Sequence, residues 1–551
     1  MKIRLLILSI LAILTANMTI AQDIERQRPK EWEGLAGGGL FIDRFLPIPT
    51  IGKLSSDTWG AKAVKPRYTD NGIEEDEWSY WGGNIKQDEK GNYHLYVCRW
   101  REDSQKGHME WPNSEVVHAI ADNSMGPFKY KETIGKGHNP EIYQIKDGRY
   151  VLYVNNGYYL SNTLNGPWKY NKFEFDQRNR PIFDHMANFT FAQREDDSYL
   201  MVCRGGGIWL SENGLPPFYQ VSEKSVYPPY DGRYEDPVVW RTNIQYHMIV
   251  NDWLGRIAYY LRSKDGINWK VEPGEAYEPG IAKYEDGTKV DWYKFERIKV
   301  LQDKYGRAIQ ANFAVADTIK KQDLGSDHHS SKNIGIPLTI GRLITVLDKE
   351  KIGSQTKLIR IKIEAEEGFN PHKDINLKSL RFGASEKVNY GGGSKVLKTK
   401  KSGDDLIITF NAAENGLNED NFAAKLLGKT RKGKLLFAYA RLPWVNYKEQ
   451  ALSCRFPILS LNGRELKIEL EIQNFGQVSS SLSDVKIEFQ KDGKWIELVQ
   501  AKAPDLKPFE KQVLTLYAKK ITEIGSTTQL RITINQKEQK SVVLEGAVII
   551  R

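Results

Sequence analysis

Polar and ionisable side chains recur at equivalent places along this chain, most visibly at predicted strand starts such as "HNPEIY" and "YEDPVVW". When these segments are aligned, one column of equivalent positions contains Asn139, Asn188, Asp236 and Arg297, with Gly82 or Gly83 from the first segment. The preceding column contains Trp81, His138, Ala187, Glu235 and Glu296. Carboxyl groups, amides, an imidazole and a guanidinium of this kind can bind a polar substrate and move protons on it.

These columns belong to a repeat that extends from about residue 78 to 340. Each copy has a polar strand start, an apolar strand, a Gly or Asp turn and an aromatic-rich strand, at a spacing of roughly 50 residues. The copies begin at "YWGGNI", "HNPEIY", "HMANFTF", "EDPVVW" and "FERIKV". Third strands follow and close in "SNTLNGPWKY" or "RSKDGINWKV". Five such units predict a five-bladed β-propeller, whose first strands line one central channel. Both columns should therefore meet in a single axial pocket.

The amino terminus predicts export. In the 551-residue chain, Lys2 and Arg4 precede a short apolar run that ends at Ala21, which is typical of a signal peptide over residues 1–21. No later stretch is apolar enough to span a membrane. Three cysteines do not make a disulfide framework. We therefore expect a periplasmic or secreted protein.

Net charge narrows the choice of partner. The chain carries a net charge of +9, and its Lys and Arg residues are spread out rather than gathered in one stripe. Nucleic acid is therefore not the expected partner, and an anionic oligosaccharide or polysaccharide fits an exported protein better. No cofactor is predicted and no metal ligands are assigned; the adjacent His328 and His329 are expected to be solvated.

The strand pattern predicts an all-β protein with three folded parts. We expect an N-terminal arm over residues 22–77 that wraps the propeller of residues 78–340. A β-sandwich over residues 341–450 and an immunoglobulin-like β-sandwich over 451–551 should follow. Arms of this kind make a homodimer a further expectation.

The strand starts quoted above, together with the "GPW" turns, resemble the five-bladed propeller glycosidases of glycoside hydrolase families 43 and 117. The resemblance covers roughly residues 78–340 and implies inverting hydrolysis by an axial base Asp, a second Asp that tunes a pKa, and a general-acid Glu. This chain departs from that pattern, because the first segment reads "WGGNI" and the second has Asn139. Glu235 or Asp236 could hold the acidic position, and Glu296 could supply a second acid.

Because the expected axial Asp residues are missing, elimination of water at a uronate is favoured narrowly over hydrolysis. Such a reaction needs a base near neutral pH and groups that neutralise the substrate carboxylate. His138 is the predicted base, and Glu235 or Asp236 would assist the leaving group. The carboxylate would be bound by Asn139, Asn188 and Arg297. A second resemblance, to dehydratases that act on oligosaccharides of the sulfated polymer ulvan, is consistent with this chemistry.

Two other functions stay open. In a hydrolase, Glu235 and Glu296 would perform the reaction and the asparagines would bind hydroxyl groups. With an incomplete acid set, the propeller could also bind glycans without catalysis. In every case the further predicted substrate contacts are Trp81 by stacking, Arg99 and Arg204 as carboxylate or sulfate clamps, and Asn84 and His185 near the channel.

Overall fold

The computed structural model describes residues 25–55, 58–59, 63–64, 66–323, 331–353, 355–463, 465–519, 527–536 and 539–550. The predicted signal peptide, His328 and His329 lie outside these residues. Strands dominate the described chain, which confirms the all-β class. No helix in this part of the chain is long and apolar enough to cross a bilayer.

The N-terminal arm has short elements only. Its strands are β1 (Leu54–Ser55), β2 (Thr58–Trp59), β3 (Ala63–Val64) and β4 (Arg67–Tyr68), after 3₁₀ turns at Lys30–Gly34 and Ile42–Arg44. β1 pairs with β4 and β2 with β3.

Five sheets follow in chain order, because short apolar runs alternate with Gly, Asp and Pro turns; all their pairings are antiparallel except that of β13 with β17 in the third sheet. The first is β5 (Trp78–Gln87), β6 (Tyr93–Arg101), β7 (Glu115–Ala121) and β8 (Lys129–Lys136), with a 3₁₀ turn at Gly107–Asn113. The second is β9 (Glu141–Gln144), β10 (Tyr150–Val154), β11 (Gly157–Ser161) and β12 (Lys169–Lys172). In the third, β13 (Phe175–Asp176) joins β14 (Thr190–Gln193), β15 (Tyr199–Val202), β16 (Ile208–Ser211) and β17 (Phe218–Gln220).

The fourth sheet is β18 (Tyr234–Arg241), β19 (Tyr246–Asp252), β20 (Ile257–Ser263) and β21 (Lys270–Tyr277). A 3₁₀ turn at Pro279–Ile281 leads to the fifth, which is β22 (Lys294–Gln302), β23 (Ala308–Ala316) and β24 (Ser331–Pro337).

The first strands of the five sheets are joined side to side. The Asn84 amide on β5 donates to the Ile142 carbonyl of β9 (3.1 Å) and accepts from the Ile142 N–H (2.8 Å). The Thr190 hydroxyl of β14 donates to Glu141 of β9 (3.0 Å) and accepts from the Val239 N–H of β18 (3.1 Å). β18 packs on β22, and β22 packs on β5. These contacts form a closed ring around a shared axis.

The N-terminal arm completes the edge of the fifth sheet. Asn71 exchanges two hydrogen bonds with the Gly335 backbone of β24 (3.0 and 2.8 Å), and Ile73 pairs with Asn333. The next arm residue, Glu74, accepts from Lys332 of β24 (2.6 Å) and from Arg67 Nε (3.0 Å). The arm therefore ties the last sheet to the chain that precedes the first.

Glu74 should make stability depend on acid pH. Burial alone would raise its pKa, but Lys332 and Arg67 outweigh burial and lower the pKa from 4.5 to about 2. A depressed carboxyl pKa adds stability above pH 4.5, and that stability is lost as pH falls toward 2. We expect Glu74→Gln to lower the free energy of unfolding by about 3 kcal/mol at neutral pH. Its difference from wild type should shrink in urea titrations at acid pH; a constant difference would contradict this.

Residues 342–441 form one continuous seven-stranded sheet. Its strands are β25 (Arg342–Val346), β26 (Leu358–Ile363), β27 (Arg381–Gly383), β28 (Val396–Ser402), β29 (Asp405–Asn411), β30 (Ala423–Lys429) and β31 (Leu435–Arg441). The spatial order is β27-β30-β31-β25-β26-β29-β28, with α1 (Pro371–Asp374), a 3₁₀ turn (Leu377–Ser379) and α2 (Ser385–Val388) in the connections. Both halves share β25 and enclose one apolar core. The predicted sandwich is thus a single sheet curled on itself.

The last part has two four-stranded sheets around one core. One contains β32 (Leu452–Cys454), β33 (Ile458–Asn462), β34 (Glu465–Asn474) and β37 (Lys511–Ala518). The other contains β35 (Ser483–Lys491), β36 (Lys494–Ala503), β38 (Thr527–Asn535) and β39 (Val542–Ile549). Ile468 and Leu470 of the first sheet and Ile487 and Ile532 of the second belong to the same buried core.

Candidate functional site

One backbone conformation repeats around the ring. Asn139, Asn188, Asp236 and Arg297 have φ between +54° and +56°, and Gly82 has φ +63°. In the first, fourth and fifth sheets the strand register shifts at this residue, as at a β-bulge. The aligned column is therefore one structural position repeated five times, and its first member is Gly82.

Side chains of this column form a hydrogen-bonded chain. The Asn139 amide N–H donates to Asn188 Oδ1 (2.8 Å), and the Asn188 amide N–H donates to Glu235 Oε1 and Asp236 Oδ1 (both 2.9 Å). Arg297 Nη1 donates to the same Asp236 oxygen (2.7 Å). The carboxyl groups thus fix the orientation of both amides. Asn139 Oδ1 lies toward Gly82 and has no hydrogen-bond partner among the residues that the structure describes.

Above this chain lies a cavity of about 620 Å³, a size typical of small-ligand sites. Its lining combines cations, carboxyl groups, amides and aromatic rings: Trp81, Trp111, His138, Asn139, Asn155, Asn188, Arg204, Glu235, Asp236, Trp253, Lys294, Glu296, Arg297, Lys320 and Lys321. A second cavity of about 760 Å³ shares Trp111, His138, Asn155 and Ala187 with it. The two cavities adjoin along these residues and are together called the groove.

Glu235 is the carboxyl group suited to hold a proton. Burial, followed by the charge of the adjacent Asp236, raises its pKa above 4.5, although Lys320 and Arg204 oppose this. Arg204 Nη1 donates to Glu235 Oε1 (3.2 Å), and Arg204 Nε also donates to Asp184 (3.0 Å). A carboxyl group with a raised pKa can act as a general acid near neutral pH.

Glu296 lies in a different electrostatic setting. Lys294 Nζ donates to its Oε1 (2.6 Å), and Lys320 Nζ is 3.9 Å from its Oε2. Burial would lower the pKa of Lys320, but Glu296, Glu235 and Asp236 outweigh burial and raise it. Two ammonium groups therefore lie beside Glu296, while the pKa of its neighbour Glu235 is raised.

His138 is buried and neutral. Burial, then the charges of Arg297 and Lys320, hold its pKa well below 6.5. Its Nδ1 is 3.0 Å from Ser114 Oγ, whose own hydroxyl has the Trp111 and Gly137 carbonyls as acceptors. His138 Nδ1–H is then the donor to Ser114, and Nε2 carries the lone pair. The imidazole also packs against Trp111, with ring centroids 4.8 Å apart.

The structure brings most of the predicted residues to the cavity, but not all. Trp81 and Arg204 line it, and His185 lies exposed in the adjoining part of the groove. Arg99 does not reach it: its guanidinium pairs with Glu115 (2.9 Å) and stacks on Trp78. Asn84 joins two strands and lies in a separate cavity with Glu141 and Lys299. These two positions are structural in the described chain.

Several cavity residues were not predicted. Lys320 comes from the segment after β23, which no repeat alignment covers, and Lys294 begins β22 two residues before Glu296. Asn155 follows the second strand of its sheet in "YVNNG", and an alignment of second-strand ends could have identified it. In the described chain, no group of three or more His, Cys, Asp or Glu could hold a metal ion.

No protein-family profile and no curated protein sequence matches this chain. Solved structures that resemble it include a glycoside hydrolase with TM-score 0.36 and 12% identity, matched over 86% of this chain and 99% of that one. An endo-arabinase from Bacteroides thetaiotaomicron has TM-score 0.31 and 12% identity, over 48% of this chain and 96% of its own. A mutant of the family-43 protein BlXynB from Bacillus licheniformis has TM-score 0.32 and 9% identity, over 87% and 90%.

The solved structures that match therefore include family 43, to which the repeat motifs are similar. At such low identity, the function of this chain has to be inferred from the contacts in its own cavity. The suspected resemblance to ulvan oligosaccharide dehydratases stays a prediction.

Proposed function

We propose that this chain is a glycoside hydrolase whose site lies on the axis of a five-bladed propeller formed by the five sheets. The observation that supports this proposal is that two carboxyl groups of one cavity have different neighbours. Burial and Asp236 raise the pKa of Glu235, whereas Glu296 accepts a hydrogen bond from Lys294. Hydrolysis of a glycosidic bond needs one protonated and one ionised carboxyl group on either side of the bond. This reverses the preference for elimination that the sequence suggested.

In this mechanism Glu235 protonates the leaving oxygen of the glycosidic bond. Glu296, which accepts a hydrogen bond from Lys294, removes a proton from the attacking water. One proton enters the leaving group and one leaves the water, so the enzyme returns to its starting charge state after proton exchange between the two carboxyl groups and solvent. Asp236, paired with Arg297, stabilises the proton on Glu235 by its negative charge.

The cavity charge favours an anionic oligosaccharide, the substrate class expected of an exported basic protein. Five cationic side chains line the cavity against three carboxyl groups. Asp236 pairs with Arg297 through Nη1, while Nε and Nη2 have no hydrogen-bond partner among the described residues, so Arg297 stays a candidate for binding a substrate carboxylate. Lys320 is better suited: it lies 5.5 Å from the centre of the Trp81 ring, so a sugar bound there would meet both charge and an aromatic face.

Elimination at a uronate remains the second candidate because of one observation. His138 is neutral, and its Nδ1 bond to Ser114 leaves Nε2 free to accept a proton. The reaction also requires a cation for the substrate carboxylate, and Lys320 or the unpartnered Nε and Nη2 of Arg297 could supply it.

His138→Ala separates these two functions. If hydrolysis operates, we expect kcat to fall less than about tenfold, since the imidazole only shapes the cavity wall. If His138 were the base of an elimination, loss of general-base catalysis would cost about 10²–10⁴-fold. Rates would be measured on defined uronate oligosaccharides, with products followed by mass and by ultraviolet absorbance of a conjugated double bond. His372→Ala, in α1 of the seven-stranded part, is the matched control.

A further inference from the structure

A further cavity, of about 330 Å³, shares no lining residue with the two cavities of the candidate site. It is formed where the N-terminal arm and the fourth and fifth sheets meet the seven-stranded sheet. Most of its wall is hydrocarbon and aromatic: Phe41, Trp240, Leu338, Leu343, Ile344 and Phe437. Its volume falls within the range of small-ligand sites.

Arg44 is the unusual member of this wall. The residue is only 6% exposed, and its guanidinium carbon lies 4.5 Å from the ring centre of Phe41 and 4.3 Å from that of Phe437. Arg44 Nη2 donates to the Tyr439 hydroxyl at 3.3 Å. Among the residues that the structure describes, no carboxylate pairs with Arg44, and its Nε and Nη1 have no hydrogen-bond partner. A buried cation without a counter-charge is costly, so such groups are normally paired.

The neighbouring charges do not compensate Arg44. Glu272 is bound by Arg262 at 2.9 and 2.6 Å, and Lys425 donates to Asn389 and to the Gly39 carbonyl. Burial would raise the pKa of Tyr439, but Lys425, Arg44 and Arg262 outweigh burial and lower it. The region around Arg44 is therefore positive.

Other charged residues of the wall are already paired. Arg307 and Arg342 both contact Glu366, at 2.6 and 3.7 Å. The carboxylate of Glu364 is 3.6 Å from Lys362. One unpaired guanidinium edge consequently faces a largely apolar space.

We propose that this cavity binds a small organic monocarboxylate with a flat apolar body. The carboxylate accepts from Arg44 Nη1 and from the second N–H of Nη2, a fork geometry that guanidinium groups offer to carboxylates. One negative charge matches the single unpaired cation, and the hydrocarbon wall covers the apolar body. Since the wall comes from the arm, the fourth and fifth sheets and the seven-stranded sheet, the bound ligand stabilises their association.

Benzoate and its neutral counterpart benzamide test this on the full chain by titration calorimetry. We expect saturable binding of one benzoate per chain, at least tenfold tighter than benzamide, because the charged acceptor is lost in the amide. Benzoate, and not benzamide, should also raise the thermal unfolding midpoint. Arg44→Met should weaken benzoate at least tenfold, whereas Arg531→Met, which removes an arginine stacked on Trp495 in the last part of the chain, should not.

Equal affinity for benzoate and benzamide, absence of benzoate binding, or unchanged benzoate binding in Arg44→Met would each overturn the proposal. If Arg44→Met fails to fold, the comparison of benzoate with benzamide on the unaltered chain still decides the matter. Ile344→Trp provides a second variant, because it fills the cavity and leaves Arg44 in place; it should abolish benzoate binding.

Discussion

Glu235→Gln is expected to lower kcat by about 10²–10⁴-fold on a substrate with a poor leaving group, because the amide cannot donate the proton that the glycosidic oxygen needs. The amide can still accept from Asn188 and Arg204, so KM should change little. The rate would be measured on an oligosaccharide and on an activated aryl glycoside. The aryl glycoside should recover much of the rate, since its leaving group needs no proton.

The pH profile gives this prediction a second readout. A general acid must be protonated, and the raised pKa of Glu235 extends its protonated form to higher pH than an ordinary glutamate. Activity should therefore fall as pH rises through that pKa, and Glu235→Gln should lose this alkaline limb. Glu212→Gln, an exposed glutamate at the end of the third sheet, is the control. Wild-type kcat and an intact alkaline limb in Glu235→Gln would contradict the assignment.

Arg297→Met is expected to be the most destabilising single change at the site, lowering the free energy of unfolding by about 3–5 kcal/mol. Arg297 and Asp236 are each 2% exposed and are joined at 2.7 Å, so removing the guanidinium leaves a buried carboxylate without its counter-charge. Stability would be measured by urea unfolding at neutral pH. Arg101→Met, which breaks ion pairs at the surface, should leave the free energy of unfolding nearly unchanged.

The double variant Arg297→Met with Asp236→Asn distinguishes lost pairing from lost packing. Removing both charges together should recover a large part of the stability, because no unpaired buried charge remains. Additive losses in the double-mutant cycle would show instead that the two side chains contribute independently.

The sequence predicted much of the fold, because strand alternation and turn residues repeat locally. It located all five first strands and the column from Asn139 to Arg297, since the residues of that column recur at similar distances from the Tyr or Gly of the second strand. It could not choose between Gly82 and Gly83, because a one-residue gap in the first segment allows either alignment. The curl of residues 341–450 into one sheet depends on the parallel pairing of β25 with β31, a contact between residues about 95 apart that no local pattern shows.

The site was predicted less completely, because its chemistry depends on which side chains pair. Arg99 and Arg204 occupy similar strand ends, yet Arg99 forms an ion pair with Glu115 while Arg204 forms one with Glu235. Asn139 lines the cavity, and the amide chain that fixes its orientation is a contact between sheets. Lys294 and Lys320, whose charges separate the surroundings of Glu296 and Glu235, lie outside the aligned columns.

The most direct test of the central claim is the fate of one water molecule. Defined uronate oligosaccharides are incubated with the full chain in water labelled with heavy oxygen, and the products are weighed by mass spectrometry while ultraviolet absorbance is followed. A glycoside hydrolase with Glu235 as acid and Glu296 as base predicts two products that together gain one labelled water, with no rise in absorbance. Loss of one water with rising absorbance would contradict it and restore elimination by His138.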